Sequence, residues 1–165
     1  MAERDQTLVL ADVSPSMADR DGGSRAGRTR FELLKQALTD IPPGVRIIQF
    51  SGRTREVRNA AEVRLDDAEG GTALHLAIAA ATQYKPVRTV IISDGEPDSE
   101  ALARDAIGQL TGIVDVVFCG NPSNTAARNF LESLARAGAG GFYQTGDQID
   151  VAMQLPAVIA GLLKA

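Results

Sequence analysis

The feature that most constrains the fold is a regular alternation between short apolar runs and longer amphipathic stretches. The apolar runs are rich in β-branched residues, and three of them are apolar on both faces of the predicted strand. This pattern is typical of parallel strands that are covered by helices on both sides of a sheet. The runs that we interpret as strands are Thr7–Ala11, Val45–Phe50, Thr54–Arg58, Thr89–Ser93, Asp115–Phe118 and Gly141–Thr145.

Helical patterns separate most of these strands, with apolar residues spaced three and four positions apart. In the second helix Leu74, Ala77 and Ile78 fall on one stripe, which is the face that a helix buries against a core. Ser99 is suited to cap the third helix through its hydroxyl. The predicted helices are Phe31–Leu38, Ala73–Tyr84, Ser99–Leu110, Thr125–Ala137 and a last one that ends near Leu163.

This alternation predicts an α/β fold with a Rossmann-like, doubly wound sheet that carries helices on both faces. Only Ser51-Gly52-Arg53 joins the second strand to the third, which is too short for a crossover, so Thr54–Arg58 should be an antiparallel edge strand. The expected strand order is 3-2-1-4-5-6, and strands 1 and 4 then meet at the switch point where such sheets bind ligands. No repeat or boundary divides residues 1–165, so we expect one domain.

Composition and charge exclude several classes of function. His75 is the only histidine, so a multi-histidine zinc site is impossible. No Walker A or G-x-G-x-x-G sequence follows a predicted strand, and the net charge of −4 gives no general attraction to nucleic acid or anionic lipid. The polar N-terminus, the lack of a membrane-length apolar run and the single cysteine, Cys119, predict a cytoplasmic location with no membrane partner.

Three loops at the predicted switch point carry the candidate chemistry. One follows strand 1, one follows strand 4, and one precedes the second helix, so we expect their side chains to converge at one edge of the sheet. Together they offer hydroxyl and carboxylate oxygens, which suit Mg²⁺ or Mn²⁺ and are poor ligands for zinc or copper. The candidate metal ligands are Asp12, Ser14, Ser16, Thr72 and Asp94.

These residues carry a resemblance to a known family. The Asp12-x-Ser14-x-Ser16 sequence, with Thr72 after two glycines and Asp94 before a glycine, resembles the metal-ion-dependent adhesion site of von Willebrand factor A domains. The similarity extends over nearly the whole chain. It departs from the family pattern at Pro15, where the family often has glycine, and in the Arg-rich loop Asp19–Arg30, which is longer than usual.

The resemblance implies that the three hydroxyls bind the metal, while Asp12 and Asp94 bind it directly or through water. Two carboxylates balance the ion's charge without making the site repel a further anion, so a carboxylate from another molecule can complete the coordination. The resemblance therefore implies a non-catalytic, Mg²⁺-dependent protein-interaction module that binds a Glu or Asp of a protein partner. Stand-alone bacterial and phage relatives act as adaptors, for example beside MoxR-type AAA+ ATPases, or as parts of larger assemblies.

An enzymatic alternative is a Mg²⁺-dependent hydrolase. An aspartate after strand 1 resembles the nucleophile of haloacid-dehalogenase-type phosphatases. Those enzymes need a second aspartate two residues later as acid and base, and Ser14 occupies that position here; a serine hydroxyl does not protonate a leaving group at neutral pH. The loop after strand 4 contains no lysine to hold a phosphoryl group, since Lys35, Lys85 and Lys164 lie elsewhere.

A second alternative is nucleic-acid binding through the arginines of Arg20–Arg30 and Arg53–Arg58, with a purely structural metal. The first cluster contains no aromatic residue on which a base could stack. The arginines of the predicted edge strand are most simply interpreted as charges that discourage pairing with another sheet. Nucleic-acid binding would weaken steeply with salt, whereas binding through the metal would be lost with EDTA.

Overall fold

The computed structural model describes residues 7–18, 29–39, 41, 44–65, 71–95, 97–120 and 123–144. The predicted helix that ends near Leu163 and residues 19–28 of the Arg-rich loop lie outside this part of the chain. Within it, none of the helices has the length and apolar character that crossing a bilayer requires.

A six-stranded sheet in the order β3-β2-β1-β4-β5-β6 confirms the predicted topology. Every neighbouring pair is parallel except β2 and β3, which form the antiparallel hairpin at the edge. The sheet is therefore mostly parallel, with β1 and β4 adjacent at its centre. The strands are β1 (Thr7–Asp12), β2 (Arg46–Phe50), β3 (Thr54–Val57), β4 (Arg88–Ser93), β5 (Ile113–Phe118) and β6 (Ala139–Gln144).

The last strand begins earlier than the sequence predicts, at Ala139 rather than Gly141. The glycines that signal the end of the preceding helix also form the first part of this strand. A Cβ at Gly140 would overlap the carbonyl oxygen of Val114 on β5, so glycine allows the two backbones to approach closely. The β5–β6 register shifts between Val114 and Val116 at the same place.

The described helices agree with the predicted ones to within three residues at each end. They are α1 (Arg30–Thr39), α2 (Leu74–Thr82), α3 (Glu100–Ile107) and α4 (Thr125–Ala137). The Ser99 hydroxyl accepts a hydrogen bond from the Leu102 amide at 3.2 Å, which confirms its predicted capping role. The third helix ends before Leu110 because the amides of Gln109 and Leu110 bond three residues back, in tighter turns.

The two faces of the sheet bury separate clusters of apolar side chains. Along β1, Val9 and Ala11 pack in the cluster that includes α1, whereas Leu8 and Leu10 pack in the cluster that includes α2, α3 and α4. This confirms a sheet with helices on both faces. Cys119 is buried in the first cluster and, as the single cysteine of the chain, forms no internal disulfide, as expected for a structural cysteine.

One buried ion pair links three neighbouring strands. Asp115 on β5 is 2% exposed, and its carboxylate pairs with the Arg88 guanidinium on β4. Its other oxygen accepts a hydrogen bond from the Gly141 amide on β6 at 2.8 Å. The carboxylate therefore satisfies a charge and a backbone donor that would otherwise be buried without a partner.

We expect Asp115→Ala to lower the free energy of unfolding by about 2 to 3 kcal/mol, because it leaves a largely buried Arg88 unpaired. Urea denaturation measures the loss. The matched control is Glu56→Ala, which breaks the more exposed Arg46–Glu56 pair on the edge hairpin and should cost less than about 1 kcal/mol. Equal losses in the two variants would show that Asp115 does not hold the three strands together.

Candidate metal centre

Two buried carboxylates lie side by side at the carboxyl edge of the sheet. Asp12 is the last residue of β1 and Asp94 directly follows β4. The parallel register pairs Ala11 with Ile92, so the two strands end at the same level. Asp12 is 0% exposed and Asp94 is 4% exposed, which confines both carboxylates to the crevice at the switch point.

Two serine hydroxyls connect these carboxylates. The Ser14 hydroxyl donates to Asp12 Oδ1 at 2.5 Å, and the Ser14 amide donates to the same oxygen at 2.9 Å. The Ser14 and Ser16 hydroxyls are 3.2 Å apart, and the Ser16 hydroxyl donates to Asp94 Oδ1 at 3.0 Å. Four of the five predicted site residues therefore form one continuous network.

A short 3₁₀ turn, Pro15–Ala18, brings Ser16 back to the crevice. The Met17 amide donates to the Ser14 carbonyl at 2.9 Å, and the Met17 side chain is buried in the cluster that includes α1. Pro15 is compatible with this turn because its fixed φ suits helical geometry. The departure from glycine at this position therefore leaves the serines in place.

Ser93 is a fifth member of the site's polar network, and the sequence analysis missed it. Its hydroxyl donates to Asp12 Oδ2 at 2.7 Å, while Ser14 bonds the other carboxylate oxygen. The only signal in the sequence is that Ser93 ends an otherwise apolar strand next to the strand of Asp12. The three donors together fix the orientation of the Asp12 carboxylate.

Thr72, the fifth predicted site residue, lies at the same edge but outside this network. The Ala73 amide donates to the carbonyl of Ser51, just after β2, at 2.5 Å. The Thr72 amide donates to Asp98 Oδ1 at 2.9 Å, and the Asp98 amide donates to the Thr72 carbonyl at 2.8 Å. Asp98 therefore holds the Thr72 segment against the loop that carries Asp94, a positioning role that the sequence analysis missed.

Gly120 allows the Asp94 loop to approach the end of β5. A Cβ at this position would overlap the carbonyl oxygen of Asp94. The Cys119 amide also donates to the Ser93 carbonyl at 3.0 Å, so the last residues of β4 and β5 are locked together. Only glycine leaves enough space for the two loops to approach this closely.

Burial and repulsion act on the acidity of Asp12. The pKa of Asp12 is raised from 3.8 to about 6 by burial and by the negative charge of Asp94, and the hydrogen bonds from Ser14 and Ser93 offset only part of this rise. A cation placed near both carboxylates would relieve the repulsion.

The donor chemistry fits a hard divalent cation. The network offers carboxylate and hydroxyl oxygens, which are ligands for Mg²⁺ or Mn²⁺. Across the described ranges, no three His, Cys, Asp or Glu side chains come together in a group that would hold a metal ion. The two carboxylates and their hydroxyls thus fit Mg²⁺ or Mn²⁺ better than zinc, which favours nitrogen and sulfur.

No family model and no curated protein matches the chain, but solved structures do. An aerotolerance-related membrane protein from Bacteroides fragilis, solved with multiple mutations to serine, is 17% identical with a TM-score of 0.70, and the match covers 96% of this chain and 98% of that one. A von Willebrand factor type A protein from Catenulispora acidiphila is 18% identical with a TM-score of 0.65, over 96% and 42% of the two chains.

Manganese-loaded TRAP protein from Plasmodium vivax is a third similar structure. It is 14% identical with a TM-score of 0.57, over 96% of this chain and 74% of that one. At such low identity these likenesses establish the fold. The chain has the fold of von Willebrand factor A domains, as the sequence analysis predicted.

We expect Gly120→Ala to destabilise the protein by at least about 2 kcal/mol, because the added methyl group would collide with the backbone of the Asp94 loop. Chemical denaturation measures this loss. Gly95→Ala is the matched control, since a Cβ there would meet nothing within 4 Å, and it should change stability by less than about 0.5 kcal/mol. A neutral Gly120→Ala would mean that the two loops do not pack this closely.

Proposed function

We propose that the chain is a Mg²⁺-dependent protein-interaction module that binds an acidic side chain of a partner protein. The observation that carries the proposal is the pair of buried carboxylates, Asp12 and Asp94, joined by the hydroxyls of Ser14 and Ser16 at the crevice. Mn²⁺ is the alternative cation. The proposed ligands are Asp12, Ser14, Ser16, Thr72 and Asp94.

The charge balance of this site favours binding of a partner's carboxylate to the ion over simple retention of the ion. Asp12 and Asp94 contribute one negative charge each, directly or through water, and the hydroxyls of Ser14, Ser16 and Thr72 contribute none. When bound, the cation supplies a Lewis-acidic position for a carboxylate oxygen of the partner. Ser93 keeps the Asp12 carboxylate oriented, and Asp98 keeps Thr72 at the crevice.

The surroundings of Asp12 support a non-catalytic role. Both of its carboxylate oxygens accept hydrogen bonds from serine hydroxyls, and the residue is fully buried. A nucleophilic carboxylate has to contact its substrate, whereas a metal ligand can act from a buried position, and a phosphatase needs an acid where Ser14 stands. We therefore propose a binding module and not the alternative hydrolase.

The similar structures bear on the cation but not on the partner. The Plasmodium vivax protein is manganese-loaded, which supports a divalent cation in a domain of this fold. An AAA+ ATPase or a larger assembly as the partner remains what the family resemblance implies, and a cytoplasmic location remains a prediction of the sequence.

We expect Mg²⁺ to raise the melting temperature, because only the folded chain brings the three loops together. A Mg²⁺ concentration about 100-fold above its dissociation constant stabilises a protein by about 2.7 kcal/mol, equivalent to roughly 5 to 10 °C for a domain of this size. Ser14→Ala should remove most of this shift, because it deletes a proposed ligand. Thermal unfolding at increasing Mg²⁺ concentration measures both effects.

Ser99→Ala is the control for that measurement. It removes a hydroxyl that caps α3, so it should cost about 1 kcal/mol of stability while keeping the full response to Mg²⁺. A wild-type melting temperature that does not change over a wide range of Mg²⁺ concentrations would contradict the proposed site.

We expect Asp12→Ala and Thr72→Ala each to abolish capture of the partner from a cell extract in the presence of Mg²⁺, since both remove proposed ligands. Captured protein should be eluted by EDTA and should tolerate moderate salt, because the bond is to the metal. Circular dichroism checks that both variants are folded. Partner capture retained by either variant would place the interface elsewhere, and EDTA-resistant binding lost steeply with salt would favour the nucleic-acid alternative.

A further inference from the structure

A cavity of about 450 Å³ lies at the β2–β3 end of the sheet. We call it the arginine cavity, because the guanidinium-bearing residues Arg53, Arg55 and Arg64 line it together with Gln49 and Ser51. Its volume is sufficient for one or two side chains of another molecule, and its openness to solvent at the edge of the sheet makes it accessible to a partner.

The arginine cavity is positively charged. No acidic residue is found among the described residues that line it. The two nearest described glutamates are not part of this lining: Glu56 pairs with Arg46 and accepts a hydrogen bond from the Tyr84 hydroxyl at 2.6 Å, and Glu62 accepts one from the Arg58 amide at 3.2 Å. The described part of the lining therefore carries positive charge in a protein whose net charge is −4.

Hydrogen bonds hold parts of the lining in place before any ligand binds. The Arg55 guanidinium donates to the Glu62 carbonyl at 3.0 Å, and this acceptor is neutral. The Arg64 amide donates to Gln49 Oε1 at 2.9 Å, and Gln49 is 7% exposed. A lining fixed in this way loses less conformational entropy when it binds an anion.

The arginine cavity adjoins the segment that carries Thr72. The Ser51 carbonyl, on the wall of the cavity, accepts the hydrogen bond from the Ala73 amide. A Cβ built on Gly71 would lie 3.3 Å from Cα of Gly52, in the same turn as Ser51. The cavity and the Thr72 side of the proposed metal centre are therefore neighbours, close enough for one partner segment to reach both.

We infer that the arginine cavity binds a second carboxylate of the same acidic partner segment. The inference rests on the proposed function, because it assigns the second anchor of that partner. Paired guanidinium groups bind carboxylates with charge-assisted, bidentate hydrogen bonds. A protein segment fits better than a nucleic acid, since the described residues that line the cavity include no aromatic side chain on which a base could stack.

The test uses fluorescein-labelled hexaglutamate as the probe, with anisotropy measured in Mg²⁺ at about 50 mM salt, where charge interactions are weakly screened. We expect the double variant Arg55→Gln and Arg64→Gln to weaken binding at least tenfold, or about 1.4 kcal/mol. The control with the same change of charge is Arg104→Gln with Arg136→Gln, two exposed arginines on α3 and α4, which should weaken binding less than twofold.

Arg64→Gln alone, at an exposed position, repeats the test in case the double variant does not fold, and should weaken binding at least threefold. Equal affinity of the cavity variants and the control would overturn the inference, as would a failure of the wild-type protein to bind the peptide. Tighter binding of hexathymidylate than of hexaglutamate would also overturn it, in favour of a nucleic acid. The Mg²⁺-induced shift of the wild-type melting temperature reports separately on the proposed function, so failure of either can be distinguished.

Discussion

The structure of the site depends on two negative charges that the sheet forces together. Parallel pairing of β1 and β4 sets Asp12 beside the end of β4 and Asp94 just beyond it, and cores on both faces keep that register in place. The serine hydroxyls offset the effects of burial and of this repulsion only in part, since the pKa of Asp12 remains raised to about 6. Packing of the whole domain therefore maintains an arrangement that is unfavourable for the isolated carboxylates and favourable for a cation.

The sequence predicted the fold well because its signals are local and consistent. Strand–helix alternation defines the sheet, and the three-residue link after β2 leaves only a hairpin at that edge. Convergence of Asp12, Ser14, Ser16 and Asp94 followed from the expected strand order. Ser93 and Asp98 could not be assigned in the same way, because their roles depend on contacts between distant parts of the chain: Ser93 bonds a residue 81 positions away, and Asp98 bonds one 26 positions away.

The fold and the site carry different kinds of information. Structures that are 14% to 18% identical to the chain share its architecture, and a shared architecture is compatible with unrelated functions. The proposal of a binding site in place of a catalytic one therefore rests on the chemistry of the site. Serine hydroxyls orient both oxygens of Asp12 and leave each oxygen a lone pair for a cation. A serine stands where a phosphatase needs an acid.

The arginines of the edge hairpin show how one set of charges can serve two purposes. Charge on β3, the edge strand, discourages pairing with another sheet, which is how the sequence pattern was interpreted. The structure adds that Arg53 and Arg55 line a cavity beside the turn that contacts the Thr72 segment. A single carboxylate is common on protein surfaces, so a metal that binds one gives little discrimination between partners. A second anionic contact at a fixed distance would favour segments that carry a carboxylate there over segments that lack one. Affinity would then depend mainly on the metal, and selectivity on the arginines.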